Sequence, residues 1–380
     1  GAGGAPPRRA RPARRLPPAM TAPAAPESPP RILDDPSHRL HAAVVAYRDM
    51  RFEQCIALLR ERLAAAPDDA EAEALLAEPA LLTGDFEAGL QHYEARWRLP
   101  GFQAQDRAFA QPRWDGAALG RRTLLISPEQ GLGETILFSR YALVIAHLHP
   151  EAHVVLEAPA RALALLRHAF QNARRVRVVE ALDRAGSDLP PFDLWAPLCS
   201  LPGLLGTRLD SIPAAPAYLY PREARRAVGL GELAVGISWH TINPQNGAAR
   251  SLPLVELARS LQQPGLRLVN LQYGDTRKDE KALLKREGIA LLPPAKGKPH
   301  PADGDLLDFA DAVAGCDLVV TIDNSLAHLA GALGRPTWLL LHQSPSWRWF
   351  LGREDSPWYP SLRLFRQPAH GLAIGFVEQR

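Results

Sequence analysis

The chain has 380 residues, 46% of them hydrophobic and 22% charged, a globular composition long enough for two or three domains. No apolar run approaches the roughly 18 residues needed to cross a bilayer, so no transmembrane helix is predicted. The formal charge of +3 comes from Arg8, Arg9, Arg11, Arg14 and Arg15; without them the balance is −2, which excludes a basic nucleic-acid-binding body.

Residues 1–37 are rich in Pro, Ala, Gly and Arg and hold no signal-peptide core. They read as a disordered tail, with Met20 a candidate native start and a basic tethering arm the other reading. Cys55, Cys199 and Cys316 are far apart, with neither metal spacing nor a disulfide framework. A reducing, cytoplasmic setting is the simplest fit.

Residues 38–102 are helical in pattern and internally repeated. Arg51-Phe52-Glu53 recurs as Asp85-Phe86-Glu87, 34 residues on, with a looser echo of Ala65-Ala66-Pro67-Asp68 at Leu99-Pro100-Gly101. That is the period of tetratricopeptide helix pairs; a plain helical hairpin is the alternative. Pro79 is expected to kink the first helix of the second pair. Two repeats are too few for a free-standing solenoid, so the segment should pack on the next domain of the chain.

After a polar linker over 103–120 the periodicity changes. Strands are predicted at Thr123–Ser127, Ala152–Leu156, Val176–Val179 and Phe192–Trp195, with a helix over Thr135–Leu148. Residues 118–222 thus form one Rossmann-like domain. A Pro-rich crossing, Ile212–Pro221, leads to a second over 232–367. Its strands are predicted at Ala234–Trp239, Leu266–Leu271, Ile289–Leu292, Leu318–Ile322 and Thr337–Leu341.

Candidate site residues fall where these strands end. Gly131 and Gly133 permit a sharp turn and close approach to a ligand, and Glu134 begins a helix whose dipole favours its ionised form. It is a candidate general base, or simply a good first-turn residue. Gly131-x-Gly133 with Glu157 imitates a dinucleotide fingerprint, but Ile136 stands at the third glycine position and weakens a dehydrogenase reading. Arg250 and Ser251 close a polar loop made pliant by Asn243, Asn246 and Gly247; Arg250 is a phosphate ligand or a solvated cation. Gln272 and Tyr273 end another strand and are placed to flank a base or sugar. The turn Asp323-Asn324-Ser325 precedes a helix with Asn324 as N-cap and with Leu326, Leu329, Ala330 and Leu333 on one face. Its backbone N–H groups, with His328 close by, form an anion site or an ordinary capped βα turn. Trp347-Arg348-Trp349-Phe350 and Gly352–Pro360 are dense in aromatics and charge and either cover the cleft or lock the domains together.

Taken together, EQGLGETILFSRYA (129–142), the Trp239–Leu254 loop, NLQYGD (270–275), TIDNSLAHLAGALGRP (321–336) and WRWFLGREDSPWYPSLRLFRQ (347–367) resemble one family. This is glycosyltransferase family 9, the heptosyltransferase-like group, in the form with an N-terminal tetratricopeptide segment. The resemblance covers residues 40–367. It implies a GT-B fold, with a nucleotide-sugar donor held mainly by the C-terminal domain and inverting transfer without a metal or other cofactor. The family's catalytic acid falls on Glu134, where Glu replaces the usual Asp. The diphosphate-binding turn falls on Asp323, Asn324, Ser325 and His328, and the basic phosphate ligand on Arg250. Asn324 and Leu326 occupy places that vary among relatives. The implied acceptor is a hydroxyl of a surface glycan, a lipopolysaccharide or a protein, the enzyme working in the cytoplasm or at the inner face of the membrane. A scaffold whose helical repeats recruit a protein while the GT-B half is idle is the rival reading.

Overall fold

The computed structural model describes residues 35–103, 106–182, 189–224, 226, 228–229, 231–242, 247–294 and 304–367. Nearly all of the N-terminal tail, together with Asn243 and Asn246 of the polar loop, lies outside the described residues.

The N-terminal segment consists of helices α1 (His41–Arg48), α2 (Phe52–Ala65), α3 (Ala70–Leu82) and α4 (Phe86–Tyr93). Phe52 and Phe86 each open the second helix of a pair, so the sequence repeat is a structural one. Asp69 and Asp85 cap α3 and α4, accepting from the Ala72 and Ala88 N–H groups at 3.1 and 3.3 Å. Pro79 does not end α3: the helix runs on to Leu82 with the ring buried. Burial of that face outweighs the N–H that proline removes from the ladder. The first pair shares a small core with the start of α3, around Leu40, Val44, Leu59 and Leu76. Phe52, Leu81, Phe86 and Leu90 instead join the core of the adjoining domain, as expected for a segment too short to stand alone.

Two parallel sheets come next, in tandem. The first has the order β3-β2-β1-β4, from β1 (Thr123–Ser127), β2 (His153–Ala158), β3 (Val176–Glu180) and β4 (Leu194–Pro197). Helices α5 (Leu132–Leu148) and α6 (Ala160–Phe170) make its crossovers. The second has the order β6-β5-β7-β8-β9, from β5 (Leu233–Ser238), β6 (Leu266–Asn270), β7 (Leu318–Ile322), β8 (Thr337–Leu341) and β9 (Leu362–Arg366). Its helices are α7 (Leu254–Leu261), α8 (Arg277–Glu287), α9 (Leu306–Ala314) and α10 (Ser325–Ala332). Every ladder in both sheets is parallel, which requires covered faces and accounts for the continuous apolar strands. This is the α/β class and two-sheet GT-B arrangement expected from the sequence.

Two expectations need correction. Ile289–Leu292 is not a strand: only Leu292 forms a bridge, beside Val269. Conversely, β9 follows the aromatic segment where no strand is expected, its Leu362 and Leu364 buried while Arg363 faces out. Only two alternating leucines mark it among charges.

The aromatic segment is the common core of all three parts. Trp347, Trp349, Phe350, Trp358 and Tyr359 are buried. Phe86 of α4 lies 6.1 Å from the Trp347 ring and 5.8 Å from Phe350, and Phe138 of α5 lies 5.8 Å from Trp358. Arg140 of α5 donates to the Trp358 and Pro213 carbonyls at 2.7 and 3.0 Å, tying the two sheets' layers to the segment.

Candidate active site

In this fold the βα turns of both sheets converge where α5 and α10 begin. The sharp turn after β1 is made by Gln130, at φ +60°, not by a glycine. Gly131 is extended, as the N-cap of α5, and Gly133 is already helical. What Gly133 supplies is proximity: a Cβ there would lie 2.9 Å from His328 Cδ2. The His328 ring cannot yield easily, since its Nδ1 lies 3.0 Å from the Tyr359 hydroxyl and its face stacks on Trp349 at 5.0 Å. Gly133→Ala is therefore expected to destabilise the protein by about 1–3 kcal/mol, read by urea unfolding. Parental stability in that variant would mean that the two helices do not meet this closely.

Glu134 stands one residue further along α5. Its Oε2 accepts the Gly131 N–H at 3.2 Å, and its Oε1 lies 3.0 Å from Arg348 Nη2. Burial by itself would raise the carboxyl pKa, but the Arg348 guanidinium overcomes this and the net shift is downward. Glu134 is thus ionised at neutral pH, with 21% of its side chain exposed. Arg348 is a site residue that sequence reasoning misses. It lies in the single turn Trp347–Trp349, 8% exposed, and donates to Ser346 Oγ at 3.0 Å. The signal in the sequence is one cation set between two tryptophans, a pattern that also suits simple docking.

In the second sheet, Arg250 closes a helical turn, Gly247–Arg250, and its Nη1 lies 3.1 Å from Asp323 Oδ2 at the end of β7. Asn324 caps α10 as predicted, its Oδ1 accepting from Leu326 N at 3.0 Å while its Nδ2 donates to Ser238 Oγ at 2.9 Å. The cap uses one of the N–H groups that the sequence left open for an anion, and Ala327 N–H bonds the Asn324 carbonyl at 3.2 Å. Ser325 is the first residue of α10 and half-buried. The predicted face of α10 is buried, but so is the rest of the helix.

Several sequence-selected residues brace the site instead of facing a ligand. Gln272 is fully buried; its Oε1 accepts from Ser238 Oγ at 2.8 Å, Trp239 N at 2.9 Å and His240 N at 3.0 Å. Its Nε2 donates to the His240 and Tyr273 carbonyls, both at 3.1 Å. No capacity remains for a base or sugar. Ser251 donates to the Gly247 carbonyl at 2.6 Å and accepts from Thr241 N at 3.2 Å. Gly247 is tightly held, not pliant, since a Cβ there would meet the Thr241 carbonyl oxygen at 2.6 Å. Tyr273 remains half-buried beside His240, its hydroxyl accepting from Ile242 N at 3.1 Å. His328 is 5% exposed, and burial lowers its pKa to about 4. It is neutral at pH 7 and cannot serve as a cation for a phosphate; sequence spacing could not foresee that Tyr359 and Trp349 enclose it.

Glu157, the acid of the imitated dinucleotide fingerprint, is wholly buried at the end of β2 and lies 2.6 Å from Arg107 Nη1. It is not presented to a ribose. Among the described residues no group of three or more His, Cys, Asp or Glu could hold a metal ion, and no helix is long and apolar enough to cross a membrane.

No protein-family model matches the chain. It is 31% identical over 310 residues to Protein FlbA of Caulobacter vibrioides, covering 77% of this chain and 51% of that protein. The chain thus spans about half the length of this curated relative. Similar solved structures include a glycosyl transferase family 9 protein from Veillonella parvula, at TM-score 0.48 and 11% identity over 67% of this chain and 88% of that one. Another is the ADP-heptose lipopolysaccharide heptosyltransferase II of E. coli, at TM-score 0.44 and 15% identity over 66% and 91%. A third is the dodecameric iron-containing heptosyltransferase TibC in complex with ADP-D-beta-D-heptose, at TM-score 0.44 and 16% identity over 69% and 67%.

Proposed function

We propose that this chain is a GT-B glycosyltransferase that moves a sugar from a nucleoside diphosphate to an acceptor hydroxyl, with inversion and without a metal ion. The observation that carries the reading is the meeting of an ionised carboxylate with the buried Arg348 and the half-buried Arg250 at the converging strand ends. Glu134 and Arg348 lie 3.0 Å apart, and the Arg250–Asp323 pair spans 3.1 Å at the neighbouring turn. Ligands of open parallel sheets bind at such carboxyl ends.

In this reading Glu134 takes the proton of the acceptor hydroxyl as its oxygen attacks the anomeric carbon. The bond from that carbon to the phosphate oxygen breaks, and the diphosphate leaves with the electron pair. Arg250 and Arg348 stabilise the departing charge, Arg348 taking the role that the family resemblance gives to His328. The nucleotide-sugar is a substrate, so no further cofactor is needed. The acceptor is a glycan, a lipid-linked sugar or a protein, and the setting is cytoplasmic, consistent with three free, buried cysteines.

The scaffold reading draws on a different observation: Ser251, Gln272, Asn324 and His328 all spend polar groups within the protein. Calorimetry against a panel of nucleoside diphosphates separates the two. A transferase binds one of them, and Arg250→Ala weakens that binding by about tenfold or more through loss of a charge-assisted contact. Absence of nucleotide binding by the parent chain favours the scaffold, and a response to NAD alone restores the oxidoreductase.

A further inference from the structure

Tyr359, at the end of the aromatic segment, packs its ring on α10: a Cβ at Gly331 would lie 2.5 Å from Tyr359 Cγ. Its hydroxyl reaches His328 Nδ1 at 3.0 Å, and Trp349 stacks on the imidazole face at 5.0 Å. The imidazole is thus fixed from two sides, with its far edge turned to the first turn of α5. A Cβ at Gly133 would lie 2.9 Å from His328 Cδ2 and 3.4 Å from Nε2, one residue before Glu134. Nε2 bonds no group among the described residues, yet it is not sealed from solvent. It opens beside the helix start that brings Glu134 to Arg348.

A neutral imidazole carries one ring proton, and the Tyr359 contact decides which nitrogen holds it. Among the described residues, Nδ1 is the one acceptor that meets the Tyr359 hydroxyl in hydrogen-bonding geometry. The neighbouring Tyr218 hydroxyl is already engaged, accepting from Arg140 Nη2 at 3.1 Å and donating to the Ile136 carbonyl at 2.8 Å. With the ring proton on Nδ1, that N–H would donate to the phenol oxygen and leave the buried phenol proton without an acceptor. With the proton on Nε2, the phenol donates to Nδ1 and both groups are satisfied. The choice matters where phosphate is to bind, because anionic phosphate oxygens only accept hydrogen bonds. A bare Nε2 lone pair repels them, whereas Nε2–H donates to them and adds no charge.

We propose that Tyr359 is a positioning residue of the donor site: by donating to His328 Nδ1 it holds the imidazole as the Nε2–H tautomer, an uncharged hydrogen-bond donor to the diphosphate of a bound nucleotide. This rests on the glycosyl-transfer reading. It divides the work at the site, with Arg250 and Arg348 supplying charge and His328 supplying direction.

Nitrogen NMR of the full chain carrying nitrogen-labelled histidine reads the tautomer, with the His328 signals assigned by their loss in His328→Gln. The parent should show a protonated Nε2 and an unprotonated Nδ1, and Tyr359→Phe, which keeps the packed ring, should move the proton toward Nδ1. Calorimetry with ADP, GDP, UDP and dTDP reads the consequence. Tyr359→Phe should weaken the nucleotide that binds by about three- to tenfold, the worth of one hydrogen bond. In His328→Gln a side-chain amide N–H takes the place of Nε2–H without help from Tyr359, so adding Tyr359→Phe there should change affinity by less than about twofold. Equal weakening by Tyr359→Phe in both backgrounds would mark a packing role and overturn the proposal. Should Tyr359→Phe fail to fold, the parent tautomer remains readable, and His328→Gln should bind about tenfold tighter than His328→Asn, whose shorter amide does not reach the Nε2 position. Equal affinities of those two variants would also overturn it. A parent chain that binds one of the four nucleotides but holds its proton on Nδ1 overturns the proposal alone. A parent that binds none removes glycosyl transfer, and the proposal falls with it.

Discussion

Glu134→Gln is expected to lower turnover on the order of 10²-fold or more, with donor binding largely retained. The amide preserves shape and can still accept the Gly131 N–H, but it cannot take a proton from an attacking hydroxyl. Release of nucleoside diphosphate, with mass spectrometry of the glycosylated product, provides the readout. The lowered pKa of Glu134 adds a pH signature. Activity that depends on its ionised form is present above the depressed folded-state pKa and lost as pH falls through it, so neutral pH lies on the active side. Unchanged turnover in the variant would remove Glu134 from the chemistry and leave it as a helix-capping residue.

Arg96→Met should produce the largest loss of stability, about 3–5 kcal/mol by urea unfolding, because it leaves a buried carboxylate without its cation. Arg96 lies just after α4 and is 4% exposed; its Nε and Nη2 bond both oxygens of Glu129 at 2.9 and 2.7 Å. It also donates to Ser200 Oγ, the Tyr93 carbonyl and Glu94, each at 2.8 Å. Glu129 in turn accepts the Cys199 N–H at 2.9 Å. This network fastens the helical segment to the strand ends of the first sheet, since Glu129 lies in the βα turn that leads from β1 to Glu134. Hydrogen exchange should show 86–98 loosening in the variant. Replacing Glu129 by Leu in the same chain should recover part of the loss, since two apolar groups leave no buried charge. A single variant as stable as the parent would show that water reaches Glu129 freely.

Much of the architecture is legible in the sequence for a simple reason. A parallel sheet buries both faces, so its strands are short apolar runs, and Thr123–Ser127, Leu318–Ile322 and Thr337–Leu341 emerge with the predicted bounds. The helical repeat is likewise written in a 34-residue echo of Phe52 at Phe86. The edge strand β9 is not legible, because an edge needs only alternate burial and its run is interrupted by arginines. Pro79 is accommodated within α3, whose face around it is buried.

The site divides along the same line. Residue type and position at strand ends single out Glu134, Arg250, Asp323 and Asn324, and an N-cap is a local matter that sequence determines by itself. Whether a polar group faces a ligand or its own neighbours is decided by contacts between distant residues. Gln272 is consumed by backbone groups more than 30 positions away, and His328 is neutralised by burial against Trp349 and Tyr359. Arg348 meets Glu134 only because segments more than 200 positions apart in sequence pack together. Local periodicity carries the elements; partnership, and with it charge state, belongs to the tertiary structure.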